Sequence, residues 1–218
     1  NNLEEKVLEV GADIGFATDP DGDRLSIVSN KGYAIGEEYT LALSFKNFIN
    51  YQDSMIVTNL STSRMIDDIS SGSIRTKIGE AHVVEKMKEL NILIGGEGNG
   101  GVILKEVHLG RDSLVAIAMI LNLLSRDNKS LNEIISEIPS YIFIKDKINI
   151  DNSINFDSLA TLFDCDEINT EDGIKFSWSD KWIHIRKSNT EPIIRIFAEA
   201  KTENEVNDLI QTLKDYLK

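Results

Sequence analysis

Three aspartates at alternate positions, in Asp19-Pro20-Asp21-Gly22-Asp23-Arg24, are the residues of this 218-residue chain whose spacing most directly suggests chemistry. They lie between two short apolar runs of β character, Ile14-Gly15-Phe16-Ala17-Thr18 and Leu25-Ser26-Ile27-Val28, and so crowd onto one loop at a strand end. Carboxylates this close repel one another, which costs free energy unless a cation or a basic group sits among them. A hard divalent ion suits such a set. Mg²⁺ suits it best, because it takes oxygen ligands and keeps positions for water or substrate phosphate. An EF-hand opening at Asp19 is excluded, since its sixth position holds Arg24 instead of Gly and its twelfth Asn30 instead of Glu. Two other readings stay open: the Asp-x-Asp of an aspartyl-nucleophile phosphatase, formed by Asp19 and Asp21, and a polar hairpin made of ordinary turn formers.

Two later loops carry ligand-binding chemistry. Gly95-Gly96-Glu97-Gly98-Asn99-Gly100-Gly101 sets five glycines around one carboxylate and one carboxamide. Its backbone can approach a ligand closely, and Glu97 and Asn99 offer the acceptors and donor that vicinal sugar hydroxyls need. A flexible turn between strands would have the same composition. Arg186-Lys187-Ser188-Asn189-Thr190-Glu191-Pro192 joins two β-type runs and collects a guanidinium, two hydroxyls, an amide and several backbone N–H groups. That inventory suits a phosphate dianion. Lys187 reads as solvated, and Arg195 as either a phosphate contact or an exposed strand residue. Lys77, His82 and Arg64 lie near element ends, where a positive group could meet a second phosphate. His82 and His184 fit structural positions better, and His108 reads as a loop residue ahead of a helix cap.

Elements must hold these loops in place. Leu3, Val7, Leu8 and Ala12 mark a helix over residues 3–13 that feeds the first strand, which resembles the tail of a larger α/β unit. From Gly36 onward, helices alternate with apolar strands. Helical patterns run through Tyr39, Leu43 and Phe48, then Met65 to Ile69 with Ser61 or Thr62 as cap, then Ala81 to Leu90. Strands are expected at residues 55–58, 74–78, 92–94 and 102–104. Asp112 caps a helix whose inward face reads as Leu114, Ile117, Ala118, Leu121 and Leu124. Residues 131–138 form a connecting helix closed by Pro139. Beyond it, strands at residues 141–150, 173–178, 182–186 and 193–200 alternate with a short helix at 156–163. Thr202 and Glu205 form a capping box for a last helix. The fold class is α/β, a layered mixed domain followed by a small α+β domain with an antiparallel sheet. The expected division is 1–35, the end of a metal-binding α/β domain; 36–138, a sugar-binding α/β domain with linker; and 139–218, an α+β phosphate-binding domain.

Composition sets outer bounds. With 36 acidic and 23 basic residues the net charge is −13, which argues against a general nucleic-acid or anionic-membrane surface. The single cysteine, Cys165, cannot form an internal disulfide and fits a reducing compartment, so a cytoplasmic location is expected. No stretch is long and apolar enough to span a bilayer.

Taken in order, the three loops resemble those of the α-D-phosphohexomutase family, which includes phosphoglucomutase, phosphomannomutase and phosphoglucosamine mutase. Gly110-Arg111-Asp112-Ser113-Leu114 is also similar to a family segment. The resemblance implies that Asp19, Asp21 and Asp23 hold Mg²⁺ and that Arg24 lies beside the transferring phosphoryl group. It implies that Glu97 and Asn99 read sugar hydroxyls, and that Arg186, Ser188, Asn189 and Thr190 hold the other phosphate. Such enzymes interconvert hexose 1-phosphate and 6-phosphate through a phosphoserine and a hexose bisphosphate. The family's sugar loop often has Ser where Asn99 stands and His where Gly101 stands, so sugar preference does not carry across. No Ser-His-Asn-Pro type motif occurs here. The expectation is therefore a C-terminal portion that needs the N-terminal domains of its parent enzyme and does not turn over alone. An aspartyl-nucleophile sugar phosphatase and a non-catalytic sugar-phosphate binder are the alternatives.

Overall fold

The computed structural model describes residues 2–49, 55–149, 156–188 and 191–217. The chain divides into two compact units, Asn1–Pro139 and Ser140–Lys218.

The first unit opens with helix α1 (Asn2–Val10) and an antiparallel hairpin of β1 (Ile14–Thr18) and β2 (Leu25–Ser29), Thr18 pairing with Leu25 across the aspartate loop. Residues 1–35 lie within the first compact unit. Leu25, Ile27 and Val28 are buried, the Leu25 amide donates to the Gly100 carbonyl at 3.0 Å, and Thr40 Oγ1 donates to the Leu25 carbonyl at 2.8 Å. Next come α2 (Glu38–Ile49), β3 (Ile56–Asn59), α3 (Met65–Ile69), β4 (Ser73–Thr76), α4 (Glu80–Leu90), β5 (Ile94–Glu97), β6 (Gly101–Leu104), α5 (Ser113–Asp127) and α6 (Leu131–Ser136). The four strands order as β4-β3-β5-β6, with β3 parallel to β4 and β5, and β6 antiparallel to β5. On one face Val83 and Met87 of α4 pack on Val57 and Ile103. Strand alternation turns Ile56 and Val102, both fully buried, the other way.

Two expectations fail in this unit. Asp112 caps α5 as expected, accepting from the amides of Leu114 and Val115, but the helix buries Ser113, Ala116, Met119, Ile120 and Leu123. Leu114 and Leu121, read as inward, are 71% and 45% exposed. The helix is apolar on several sides, so periodicity does not fix its rotation. Rotation is set instead by Ser113, whose amide and hydroxyl both bond the Gly22 carbonyl, and by Asn122, which bonds Asn47 of α2. Neither Ser61 nor Thr62 caps α3. Ser63 Oγ accepts from the Met65 amide, while Thr62 Oγ1 accepts from the Gly98 amide and so supports the glycine-rich loop.

The second unit is a five-stranded antiparallel sheet in the order β7-β11-β10-β9-β8: β7 (Ile142–Asn149), β8 (Glu167–Asn169), β9 (Ile174–Ser177), β10 (Trp182–Lys187) and β11 (Ile193–Ala200). The helices are α7 (Phe156–Leu159) and α8 (Glu203–Tyr216). Helix α8 starts at the expected Thr202–Glu205 capping box and lays Val206, Leu209, Ile210 and Leu213 on the sheet. Short β8, with two of its three residues exposed, carries no apolar signal and was not expected.

Candidate functional site

The aspartate loop closes the β1–β2 hairpin, and its side chains do different work. Asp19 turns back into the loop, accepting from the amides of Asp23 and Arg24 at 3.1 and 3.2 Å and from Arg24 Nε at 2.8 Å. Burial pushes the Asp19 carboxyl up, but the bonds from the Arg24 amide and guanidinium, and those involving Asp23, outweigh it and bring the pKa to about 2. Asp21 is exposed at the tip. Asp23 is raised above the usual carboxylate range, first by burial and then by the bond shared with Asp19 and its charge, against the attraction of Arg111 and Arg24. One Asp23 oxygen, Oδ2, accepts from Arg111 Nη2; the other, Oδ1, is buried without a hydrogen bond and lies 3.6 Å from Arg24 Nε.

The glycine-rich loop lies against this hairpin. Gly100, at φ +89°, occupies backbone space that favours glycine, and a Cβ there would fall 2.5 Å from the Leu25 carbonyl oxygen. Glu97, at the end of β5, is 3% exposed. Its Oε1 accepts from Asn59 Nδ2 at 2.7 Å and the Gly79 amide at 3.0 Å, and its Oε2 from Arg111 Nη1 at 2.9 Å. A carboxylate has about four lone-pair positions, so three bonds leave room for about one more donor. Asn99 uses Oδ1 to accept from the Gly101 amide at 3.2 Å, within its own loop. Arg111 thus joins the two loops, and its Nε reaches Glu80 at 2.9 Å.

In the second unit Arg186, the residue before the last of β10, is nearly buried, with Nε 3.2 Å from Asp172 Oδ1. Arg195 stands directly opposite it on β11. Like charges facing across a ladder are destabilising unless an anion sits between or beside them. Arg195 bonds Glu191 at 2.8 Å and Ser188 Oγ at 3.4 Å, and the Ser188 amide donates to the Ile193 carbonyl at 2.9 Å. The expected residues Asn189 and Thr190 lie outside the described residues.

Comparison with known proteins gives these loops a context. The family model described as phosphoglucomutase/phosphomannomutase, alpha/beta/alpha domain III, matches residues 29–141, and that of the C-terminal domain matches residues 147–215. The chain belongs to the phosphoglucomutase/phosphomannomutase family. It is 36% identical over 216 residues to a phosphoglucomutase/phosphomannomutase of Thermococcus kodakarensis, covering 95% of this chain and 47% of that protein. It is 32% identical to the phosphoglucosamine mutase of Methanocaldococcus jannaschii, covering 91% of this chain and 47% of the relative. The chain therefore spans about half the length of the curated relatives it matches. A phosphoglucomutase/phosphomannomutase family protein from Burkholderia thailandensis shares the fold at a TM-score of 0.84 and 24% identity, covering 100% of this chain and 49% of that one. The fold also matches Aspergillus fumigatus N-acetylphosphoglucosamine mutase, solved with GlcNAc-6P and magnesium, at a TM-score of 0.63 and 15% identity, over 92% of this chain and 48% of that one.

Within this family frame, Asp23 and Glu97 are brought to one guanidinium. Among the described residues, no three His, Cys, Asp or Glu side chains are gathered as a metal requires. The donor set still fits Mg²⁺ in kind, with oxygen donors at alternate positions of one loop and a buried oxygen, Asp23 Oδ1, left without a hydrogen bond. Drawing Asp19 into that set requires it to release Arg24. Arg111, Asn59 and Glu80 are partners that sequence reasoning did not single out. Only Arg111 had a signal, in the Gly110-Arg111-Asp112 segment. Gly101 has a physical partner too, since a Cβ there would lie 2.2 Å from Arg111 Cδ. A side chain at 101 and the observed path of Arg111 exclude each other.

Proposed function

We propose that this chain is the sugar- and phosphate-recognising part of a phosphohexomutase that interconverts hexose 1-phosphate and 6-phosphate through a phosphoserine and a hexose bisphosphate. The observation that carries this reading is the meeting of the aspartate loop and the glycine-rich loop on Arg111, in a chain of this family. Asp19, Asp21 and Asp23 would hold Mg²⁺, which when bound neutralises charge on the transferring phosphoryl group. Arg24 lies in the same loop to face that group. Glu97 takes a sugar hydroxyl on its remaining Oε2 lone pair, and Asn99 reads a neighbouring one. In the second unit Arg186, Ser188, Asn189 and Thr190 bind the phosphate that is not transferred, and Arg195, opposite Arg186, adds a second cation. The chain by itself binds hexose phosphate and does not turn it over, since it supplies no phosphoserine motif; the N-terminal domains of the parent enzyme would complete it. A cytoplasmic site of action accords with one unpaired cysteine, and no described helix is long and apolar enough to cross a membrane.

³¹P NMR of the 218-residue chain with Mg²⁺, hexose 1-phosphate and a trace of hexose 1,6-bisphosphate tests this reading. Line broadening without turnover is the expected result. Appearance of hexose 6-phosphate would show a complete mutase, inorganic phosphate a phosphatase, and unchanged spectra would remove the binding assignment.

A further inference from the structure

We infer that Arg111 is a positioning residue that ties cation binding at Asp23 to hydroxyl recognition at Glu97. The inference rests on the metal and sugar roles proposed above, and concerns how the two are linked.

The root of Arg111 is fixed from both sides. The Asp112 amide donates to the Val102 carbonyl at 2.9 Å, Asp112 Oδ1 accepts from the first amides of α5, and Ser113 bonds Gly22 of the aspartate loop through both amide and hydroxyl. From that root the guanidinium sends each nitrogen to a different element: Nε to Glu80 in the first turn of α4, Nη1 to Glu97 at the end of β5, and Nη2 to Asp23 after β1. Only a planar fork with several donors in fixed directions can hold three carboxylates so. An ammonium is a point charge and would settle on one or two of them.

What the fork leaves open is the second part of the inference. On Asp23 it takes Oδ2 and leaves Oδ1 buried with no hydrogen bond, 3.6 Å from Arg24 Nε, an oxygen that a cation could use by displacing Arg24 and not Arg111. On Glu97 it takes one Oε2 position and leaves about one lone pair for a hydroxyl. A cation at Oδ1 draws charge from Asp23 and relaxes its hold on Nη2, so the guanidinium is held more firmly by Glu97. A hydroxyl donating to Glu97 does the converse. Coupling of this kind is reciprocal by thermodynamic necessity. Gly101 permits the arrangement, because it has no side chain to push on Arg111 Cδ.

The test measures both affinities of the 218-residue chain in each other's presence, Mn²⁺ by electron paramagnetic resonance and glucose 6-phosphate by calorimetry. Each should weaken the other by the same factor, about fivefold or more. Arg111→Lys keeps the charge, so plain attraction between cation and phosphate persists, yet the coupling should fall below about twofold because the fork is gone. Gly101→Ala keeps every ionic group and displaces Arg111, and should also reduce the coupling; it carries the test alone if Arg111→Lys does not fold by circular dichroism. Coupling of wild-type strength in a folded Arg111→Lys, or in Gly101→Ala, overturns the inference. A wild-type chain that binds both probes without coupling also overturns it and leaves the proposed function standing, whereas a chain that binds neither removes both.

Discussion

Asp21, exposed at the tip of the aspartate loop and taking no part in the Arg24 and Arg111 ion pairs, is the residue on which metal binding can be tested with least damage to the fold. Asp21→Asn should weaken Mg²⁺ binding by roughly tenfold or more with the melting temperature unchanged, because one of few charged ligands is lost. Equal affinity by calorimetry would remove the metal assignment. Glu97 is the opposite case, since its carboxylate is buried and accepts three hydrogen bonds. Glu97→Gln places amide hydrogens against donors and should cost about 1–3 kcal/mol, read as a lower urea midpoint. His184 titrates from inside the second unit. Burial, ahead of the opposing bond to the Asp172 carbonyl, lowers its pKa from 6.5 to about 4. The unfolded chain therefore takes up a proton in that window before the folded chain does. The stabilisation is full above pH 6.5 and is lost as the pH falls toward 4. His184→Gln should flatten the fall in urea midpoint between pH 6.5 and 5, and an unchanged slope would place that sensitivity on other groups.

At the scale of elements, the caps of α5 and α8 were legible, and the cap of α3 and the rotation of α5 were not. The Asp112 cap and the Thr202–Glu205 box follow from side chains that satisfy amides a few residues away, so neighbours in sequence suffice. The inward face of α5 depends on contacts with α2 and with Gly22, far away in the chain. The buried and exposed stripes of α5 are both apolar, so composition does not separate them. Leu123→Ala should therefore cost about 2–5 kcal/mol, and Leu114→Ala less than about 0.5 kcal/mol. Comparable losses in the two variants, measured by urea unfolding, would show that the rotation described here is wrong. Strand β8 stayed hidden because it is short and mostly exposed, and pairs only with β9.

Across the whole molecule, the core of the second unit, among the described residues, is a cluster drawn from residues between Ile144 and Leu217. Residues 140–218 expressed alone should therefore melt cooperatively and give dispersed amide resonances. A broad, non-cooperative melt would mean that this core does not suffice. The first unit gathers more than periodicity suggested, because the hairpin of residues 14–29 packs on the domain that follows it. Leu25 bonds Gly100, and Ser113 bonds Gly22, across more than seventy positions.

By itself the sequence determined the alternation of elements, the caps of α5 and α8 and which side chains the three loops carry, since each of these depends on residue types within a few positions of one another. Glu97 was legible as a carboxylate among glycines, and Arg186 as a cation near the end of a strand. Only the tertiary structure decided what those groups face. It set Arg111 between Asp23 and Glu97, turned Asp19 onto Arg24, and placed Arg195 opposite Arg186. Such partnerships arise when packed helices and paired strands bring distant segments within a few ångströms, which local spacing does not encode.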